Sequence, residues 1–235
     1  MTRFQPFSLA HILTVIALAV AIAAVVAAGR SARRYGTERR FHGVMGWIIL
    51  TFWIVYHAYA TLTRGFQWTS SLPLQVCDVT ALAAAFTFLS NRRLAQTMAY
   101  FWGIALSSQS VITPDLSGGP TTIDFWGFWL YHGFVVGAGV YAVAARGYRP
   151  TWRDFGIAAG IGLLYAALMF ALDVVSGANY GYLGRPGSSQ PSLLDVMGPW
   201  PQRVPIMVGL AITAMAMLQV PWSIGSRRRK RSLQP

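Results

Sequence analysis

The sequence predicts an all-α integral membrane protein, a bundle of seven transmembrane helices. Hydropathy gives seven apolar segments of 19 to 23 residues, and each could cross about 30 Å of hydrocarbon as an α-helix. Hydrophobic residues make up 54% of the chain and charged residues only 11%, which leaves too little polar surface for a soluble domain of this size. The segments are 8–29, 43–63, 72–90, 94–112, 125–145, 155–177 and 204–222.

The basic residues predict how these segments are oriented. The connections after segments 1, 3 and 5, together with the C-terminal tail, hold 15 of the 19 Lys and Arg residues, whereas the opposite side holds Arg3, Arg64, Arg185 and Arg203. The positive-inside rule therefore puts the N-terminus outside and the C-terminus in the cytoplasm. Residues 1–222 form the transmembrane domain and 223–235 a basic tail. Topology and anionic lipid account for the net charge of +12, so we expect membrane lipids as partners and no nucleic acid.

Most connections between segments are short and polar, but the outer connection 178–203 is long and rich in Gly and Pro. It also contains Tyr180, Tyr182, Leu193, Leu194, Met197 and Trp200. One interpretation is a partly buried lid that is helical only around residues 192–197, with Ser192 as cap and Asp195 in the first turn. The other is a surface loop with interfacial Tyr and Trp anchors.

Polar side chains inside the apolar segments concentrate in the outer half of the membrane. Counting about 1.5 Å per residue from the outer helix ends puts His57, Cys77, Asp78, Gln109, Asp173 and His132 at roughly 5–13 Å depth. A charged group in this zone costs at least about 2.5–3.5 kcal/mol unless it is paired or solvated. We therefore expect His57, Cys77, Asp78, His132 and Asp173 to line one polar cavity that opens to the outer leaflet.

Each of these residues has a structural alternative. Cys77, the only cysteine, is either a small packing side chain or a thiolate activated by His132. His132 itself either joins two helices by a hydrogen bond or acts as a base. Asp78 and Asp173 are functional candidates as intramembrane carboxylates, although Asp173 near its helix end also suits an interfacial position.

Several other chemistries are disfavoured. The sole lysine is Lys230 in the tail, so no Schiff base with a retinal-type cofactor can form within the helices. The sequence has no His-x-x-x-His, Cys-x-x-Cys, Gly-x-Ser-x-Gly or Walker motif, which argues against common zinc, hydrolase and nucleotide sites. A haem between His57 and His132 has no second indication. We expect no cofactor and no metal.

Four motifs in order along the chain resemble the YwaF-like family of bacterial integral membrane proteins. They are SLPLQVCDVTALAAA on segment 3, YFWGIALSSQSVITPD on segment 4, FWLYHG on segment 5, and NYGYL with PSLLDVMGPWP before segment 7. The resemblance covers segments 2 to 7. It implies a seven-helix fold with an outward-facing polar layer in a bacterial plasma membrane, and it supplies no activity.

A more distant similarity is to the eukaryotic transmembrane protein 164 acyltransferases. It implies transfer of fatty acyl chains to lysophospholipids through a cysteine on the third helix and a histidine on the fifth. His132 falls on the histidine position. The family's Pro-Cys-His pattern lies on Pro73-Leu74-Gln75, so Gln75 replaces a histidine and Cys77 lies one turn below Leu74 on the same helix face.

Two hypotheses of function follow. In the first, a lipid-active enzyme transfers or cleaves an acyl ester, with Cys77 as nucleophile, His132 as base and acid, and Asp173 or Asp78 orienting the imidazole. In the second, the protein binds or transports a small polar or amphiphilic solute without catalysis. The predicted substrate-binding residues are His57, Gln75, Gln109, Asn179 and Tyr180, with Gln75 or Gln109 holding the oxyanion.

Overall fold

The structure is a computed structural model that describes residues 4–116, 118–185 and 196–231. All regular secondary structure in these ranges is helical, which confirms the all-α class. The helices are α1 (Leu9–Arg34), α2 (Glu38–Arg64), α3 (Val76–Leu89), α4 (Arg93–Tyr100), a π-helix (Phe101–Leu106), α5 (Ser108–Ile112), α6 (Ile123–Ala144), α7 (Trp152–Ser176), a 3₁₀ turn (Tyr180–Tyr182) and α8 (Arg203–Arg231).

Five of the described helices are long and apolar enough to cross a membrane. They are α1, α2, α6, α7 and the part of α8 from Arg203 to Ile224, and they coincide with predicted segments 1, 2, 5, 6 and 7. Helix α8 continues to Arg231, so its backbone stays helical into the predicted basic tail.

The prediction of a helix over residues 72–90 is wrong at its beginning. Helix α3 has only 14 residues, from Val76 to Leu89, and is therefore about 21 Å long. Proline disfavours helical backbone at the residue before it, and Leu72 precedes Pro73. The four residues before α3 are bends or irregular backbone, although Leu72 and Leu74 are as apolar as the hydropathy suggests.

Segment 4 is helical throughout but is not one regular α-helix. The π-helix Phe101–Leu106 separates α4 from α5, and the backbone N–H of Ser107 donates to the carbonyl of Trp102, five residues earlier, at 2.9 Å. Short π segments inside α-helices widen one turn and are frequent at functional sites.

The chain forms two compact units. The first comprises Met1–Ala58 and Cys77–Tyr148, and the second comprises Tyr59–Val76 and Arg149–Pro235. The first unit thus holds α1, most of α2, and the helices from α3 to α6, whereas the second holds α7, α8 and the connection before α3.

In the first unit, glycines let two helices pack backbone against backbone. A Cβ on Gly103 would lie 2.7 Å from the Val135 carbonyl oxygen, and one on Gly139 would lie 2.5 Å from the Ala99 carbonyl oxygen. Small residues allow such approach in membrane proteins, where close van der Waals packing drives helix association. The α4 and π-helix segment therefore packs directly on α6.

In the second unit, the connection after α7 is partly buried. Ala178, Tyr180 and Leu183 are buried, and the Trp200 indole N–H donates to the Leu183 carbonyl at 2.9 Å. The described ends of this connection are therefore partly buried, while the lid over the outer face stays a prediction. Of the predicted helical turn at residues 192–197, the part that begins at Ser192 and contains Asp195 lies outside the described residues.

Candidate functional site

Asp78 is the centre of a buried polar cluster in the first unit. Only 6% of Asp78 is exposed, and its Oδ1 accepts a hydrogen bond of 2.7 Å from the Tyr131 hydroxyl of α6. The His57 Nε2 atom of α2 lies 3.3 Å from the same oxygen and 3.5 Å from the Tyr131 hydroxyl oxygen. Three helices therefore converge on one carboxylate, which offsets the cost of burying it.

Tyr131 is a site residue that the sequence analysis missed. It precedes His132 in the FWLYHG motif, and tyrosines are common among the apolar side chains of membrane helices. Its hydroxyl becomes informative only when the packing of α3 against α6 is known, because the hydrogen bond to Asp78 joins residues 53 positions apart.

His132 presents one ring nitrogen that has no partner. Its Nδ1 lies 2.8 Å from the Phe128 carbonyl oxygen, which can only accept, so Nδ1 carries the proton. In the neutral ring, Nε2 then holds a lone pair and accepts hydrogen bonds. The side chain is 6% exposed, and Nε2 is buried without a hydrogen-bond partner among the described residues.

Cys77 lies beside this cluster in the first turn of α3. Its side chain is partly buried and packs against the apolar group of Ala81, Tyr131 and Val135. The Asp78 carboxylate is close enough to interact electrostatically with both Cys77 and His132. Within the described parts of the chain no hydrogen bond joins Cys77 to His132, so their direct pairing stays a prediction.

Asp173 belongs to a different cluster, in the second unit. Its Oδ1 accepts from the Tyr180 backbone N–H at 2.9 Å, just beyond the end of α7. The structure therefore brings together His57, Cys77, Asp78 and His132 in one unit and places Asp173 in the other. A single cavity lined by all five residues stays a prediction.

Three of the predicted substrate-binding residues form hydrogen bonds within the second unit. They are Gln75, Asn179 and Tyr180. The Gln75 amide oxygen accepts from the Gly181 N–H at 2.8 Å, and its nitrogen donates to the Asn179 carbonyl at 3.4 Å. The Tyr180 hydroxyl donates to the Trp68 carbonyl at 2.7 Å. These bonds fasten the 3₁₀ turn to the connection that precedes α3.

The last predicted substrate-binding residue, Gln109, does not join the buried cluster. Its side chain is exposed, and its amide donates to the Thr113 hydroxyl at 2.8 Å within the same helix end. The described residues also contain no group of three or more His, Cys, Asp or Glu side chains arranged to hold a metal ion.

The fold and the cluster define a multi-pass α-helical membrane protein with buried ionisable groups. The model of the TMEM164 family matches residues 6–219 of the chain, and the protein therefore belongs to that family. This confirms the similarity to transmembrane protein 164, while the closer assignment to the YwaF-like proteins stays a prediction. No curated protein and no solved structure matches the chain.

Proposed function

We propose that the protein is a lipid-active membrane enzyme that transfers or cleaves a fatty acyl ester of a phospholipid at the cluster on α3 and α6. The observation that supports this most directly is the His132 imidazole, whose Nδ1 is held by the Phe128 carbonyl while Nε2 is buried without a partner. Leaving a buried acceptor unsatisfied costs about 1–3 kcal/mol. A substrate or nucleophile that donates a proton to Nε2 recovers this energy, as a general base requires.

The chemistry follows from the residues beside His132. The Cys77 thiol gives its proton to His132 Nε2, and the sulfur attacks the ester carbonyl to form a tetrahedral intermediate. The ester C–O bond breaks, and His132 returns the proton to the departing alcohol oxygen. An acceptor hydroxyl or water then attacks the thioester, transferring its proton through His132 to the Cys77 sulfur, which leaves as the thiol.

Cys77 and His132 must come within hydrogen-bond reach for the first step. Catalytic hydrogen bonds are often long in the absence of substrate and shorten in the complex. The position of Cys77 in the first turn of a helix that begins after a non-helical connection gives it more freedom than a mid-helix residue.

The membrane arrangement is part of the proposal: seven spans, the N-terminus outside and the C-terminus in the cytoplasm of a bacterial plasma membrane. Helical backbone from Arg93 to Ile112 is about 30 Å long at the α-helical rise, which suits a sixth span. Helix α3 with the non-helical residues before it would be the seventh. The division of basic residues supports the orientation.

The test uses the purified protein in lipid nanodiscs that contain a phospholipid with an isotope-labelled acyl chain and an unlabelled lysophospholipid acceptor. We expect labelled acyl groups on the acceptor and, transiently, on Cys77, both detected by mass spectrometry. Cys77→Ser and His132→Gln should each abolish transfer.

A matched control is His11→Gln. The His11 ring is also buried, but both nitrogens have backbone partners, the Phe7 N–H at 2.8 Å and the Val111 carbonyl at 2.9 Å. This variant should retain transfer if it folds. Wild-type protein that transfers no acyl group to alcohol or water would overturn the proposed activity.

The alternative is a non-catalytic binding protein or transporter, and one observation favours it. Asp78 already has two polar partners, Tyr131 and His57, which suits a site that binds a proton or a polar headgroup. Under this alternative, wild-type protein retains bound lipid but Cys77→Ser leaves that lipid and its amount unchanged.

A further inference from the structure

Ser107 follows directly after the π-helix, and its hydroxyl group is buried. The residue is 2% exposed, and its Oγ has no hydrogen-bond partner among the described residues. The neighbouring Ser108 behaves as helical serines usually do, since its hydroxyl donates to the Ile104 carbonyl at 2.6 Å. A buried hydroxyl without a partner calls for an explanation, such as a water or a ligand group.

The packing of the π-helix on α6 indicates where Ser107 lies along the axis of α6. The close contacts pair Ala99 with Gly139 and Gly103 with Val135, so the two segments run antiparallel and the next pair, four residues on, is Ser107 with Tyr131. Ser107 therefore lies at the level of Tyr131 and the following residue, His132.

The packing of α3 on α6 places Asp78 at the same position along the axis of α6. Asp78 bonds to Tyr131 and the Phe88 ring packs 4.6 Å from that of Tyr141, so these two helices run parallel with a constant offset. Asp78, Tyr131 and Ser107 thus share one layer of the first unit.

The direction of the Ser107 side chain follows from Gly103. A Cβ on Gly103 would meet the Val135 carbonyl of α6 and, at 3.7 Å, the Thr80 side chain of α3. Ser107 follows Gly103 by about one helical turn and so lies on the same face. The hydroxyl is therefore directed towards α3 and α6, the two helices that carry Cys77, Asp78 and His132.

We propose that Ser107 is a further catalytic residue, whose hydroxyl donates a hydrogen bond to the acyl carbonyl oxygen of the substrate. This rests on the proposed acyl transfer. When the Cys77 sulfur adds to the carbonyl carbon, the C=O electron pair moves to oxygen, and the Ser107 O–H stabilises that charge while keeping its own proton. We assign the role to Ser107 because the Gln75 amide nitrogen donates to the Asn179 backbone carbonyl and the Gln109 amide nitrogen donates to the Thr113 hydroxyl.

The first experiment compares Ser107→Ala with Ser108→Ala, which removes the same atom one residue away. Loss of an oxyanion donor reduces kcat by about 100-fold or more, and we expect this for Ser107→Ala, with KM raised by no more than about fivefold. The kcat of Ser108→Ala should stay within about twofold of wild type, because the Ser108 hydroxyl donates only to a backbone carbonyl one turn earlier. With measurable wild-type transfer, equal rates in the two variants would overturn the proposal.

The second experiment does not require turnover, so it separates this proposal from the proposed activity. In the Cys77→Ala background, binding of an acyl lysophosphatidylcholine is compared with its ether analogue, which lacks the carbonyl. One neutral hydrogen bond is worth about fivefold in affinity, so the ester should bind about fivefold more tightly, and adding Ser107→Ala should remove the preference.

The outcomes of the two experiments are distinct. An ester preference that disappears with Ser107→Ala supports the contact even if wild-type protein never transfers an acyl group, in which case only the proposed activity fails. An ester preference that survives Ser107→Ala, or no preference at all, overturns the role of Ser107.

Discussion

The hydrogen bond from Tyr131 to Asp78 should be a principal stabilising contact between α3 and α6. Its length of 2.7 Å and its carboxylate acceptor are typical of a charge-assisted bond. Such bonds contribute about 1.5–3 kcal/mol in proteins, whereas side-chain bonds between membrane helices average about 0.6 and reach about 1.7 kcal/mol. Tyr131→Phe removes only the hydroxyl and leaves Asp78 with His57 at 3.3 Å. We expect a loss of about 1.5 kcal/mol, near the upper membrane value.

The measurement is SDS-induced unfolding in mixed micelles, with a double-mutant cycle of Tyr131→Phe and Asp78→Asn. Because the two groups contact each other directly, the effects should be non-additive by roughly 1 kcal/mol. A single-variant loss below about 0.5 kcal/mol, or additive effects within experimental error, would refute the view that this bond holds the two helices together.

Three further predictions concern packing, the turn after α7 and topology. Gly103→Ala should destabilise the protein by about 1–3 kcal/mol, because the new methyl group would meet a backbone carbonyl. Gly43→Ala is the control: nothing lies within 4 Å of its new methyl group, so it should not destabilise the protein in the same unfolding assay. Gln75→Ala removes the acceptor of the Gly181 N–H and should speed hydrogen exchange of that amide, measured by mass spectrometry. A phosphatase that is active only after export should be inactive when fused after Pro235.

Each of these predictions has an outcome that contradicts it. Equal stability of the two glycine variants would mean that α6 can move away from the π-helix at little cost. Unchanged exchange at Gly181 in the Gln75 variant would mean that other bonds hold the turn. An active phosphatase at the C-terminus would reverse the proposed orientation.

Hydropathy predicted the five long helices because their apolar stretches are continuous and their ends are polar. It placed the beginning of α3 too early, since Leu72 and Leu74 score as apolar although Pro73 keeps the backbone there out of the helix. The π-helix could not be predicted from hydropathy either, because a π-helical turn and an α-helical turn can be equally apolar.

Part of the site could be predicted, because ionisable side chains are rare in apolar segments and are therefore easy to recognise. Asp78, His57 and His132 stand out in apolar segments, and the structure brings them into one unit. Tyr131 and Ser107 do not stand out, because tyrosine and serine are ordinary residues in membrane helices. Their significance depends on hydrogen bonds made or missing across helices, which sequence spacing alone cannot show.

The glycine contacts between the π-helix and α6 have a consequence for the energetics of the proposed acyl transfer. With no side chain between the two backbones at Gly103 and Gly139, the separation of Ser107 from His132 is set by main-chain contact rather than by adjustable rotamers. In the proposed reaction, a donor and a base at these two positions would need little rearrangement as charge develops on a bound carbonyl, so their entropy would be lost during folding rather than in the transition state.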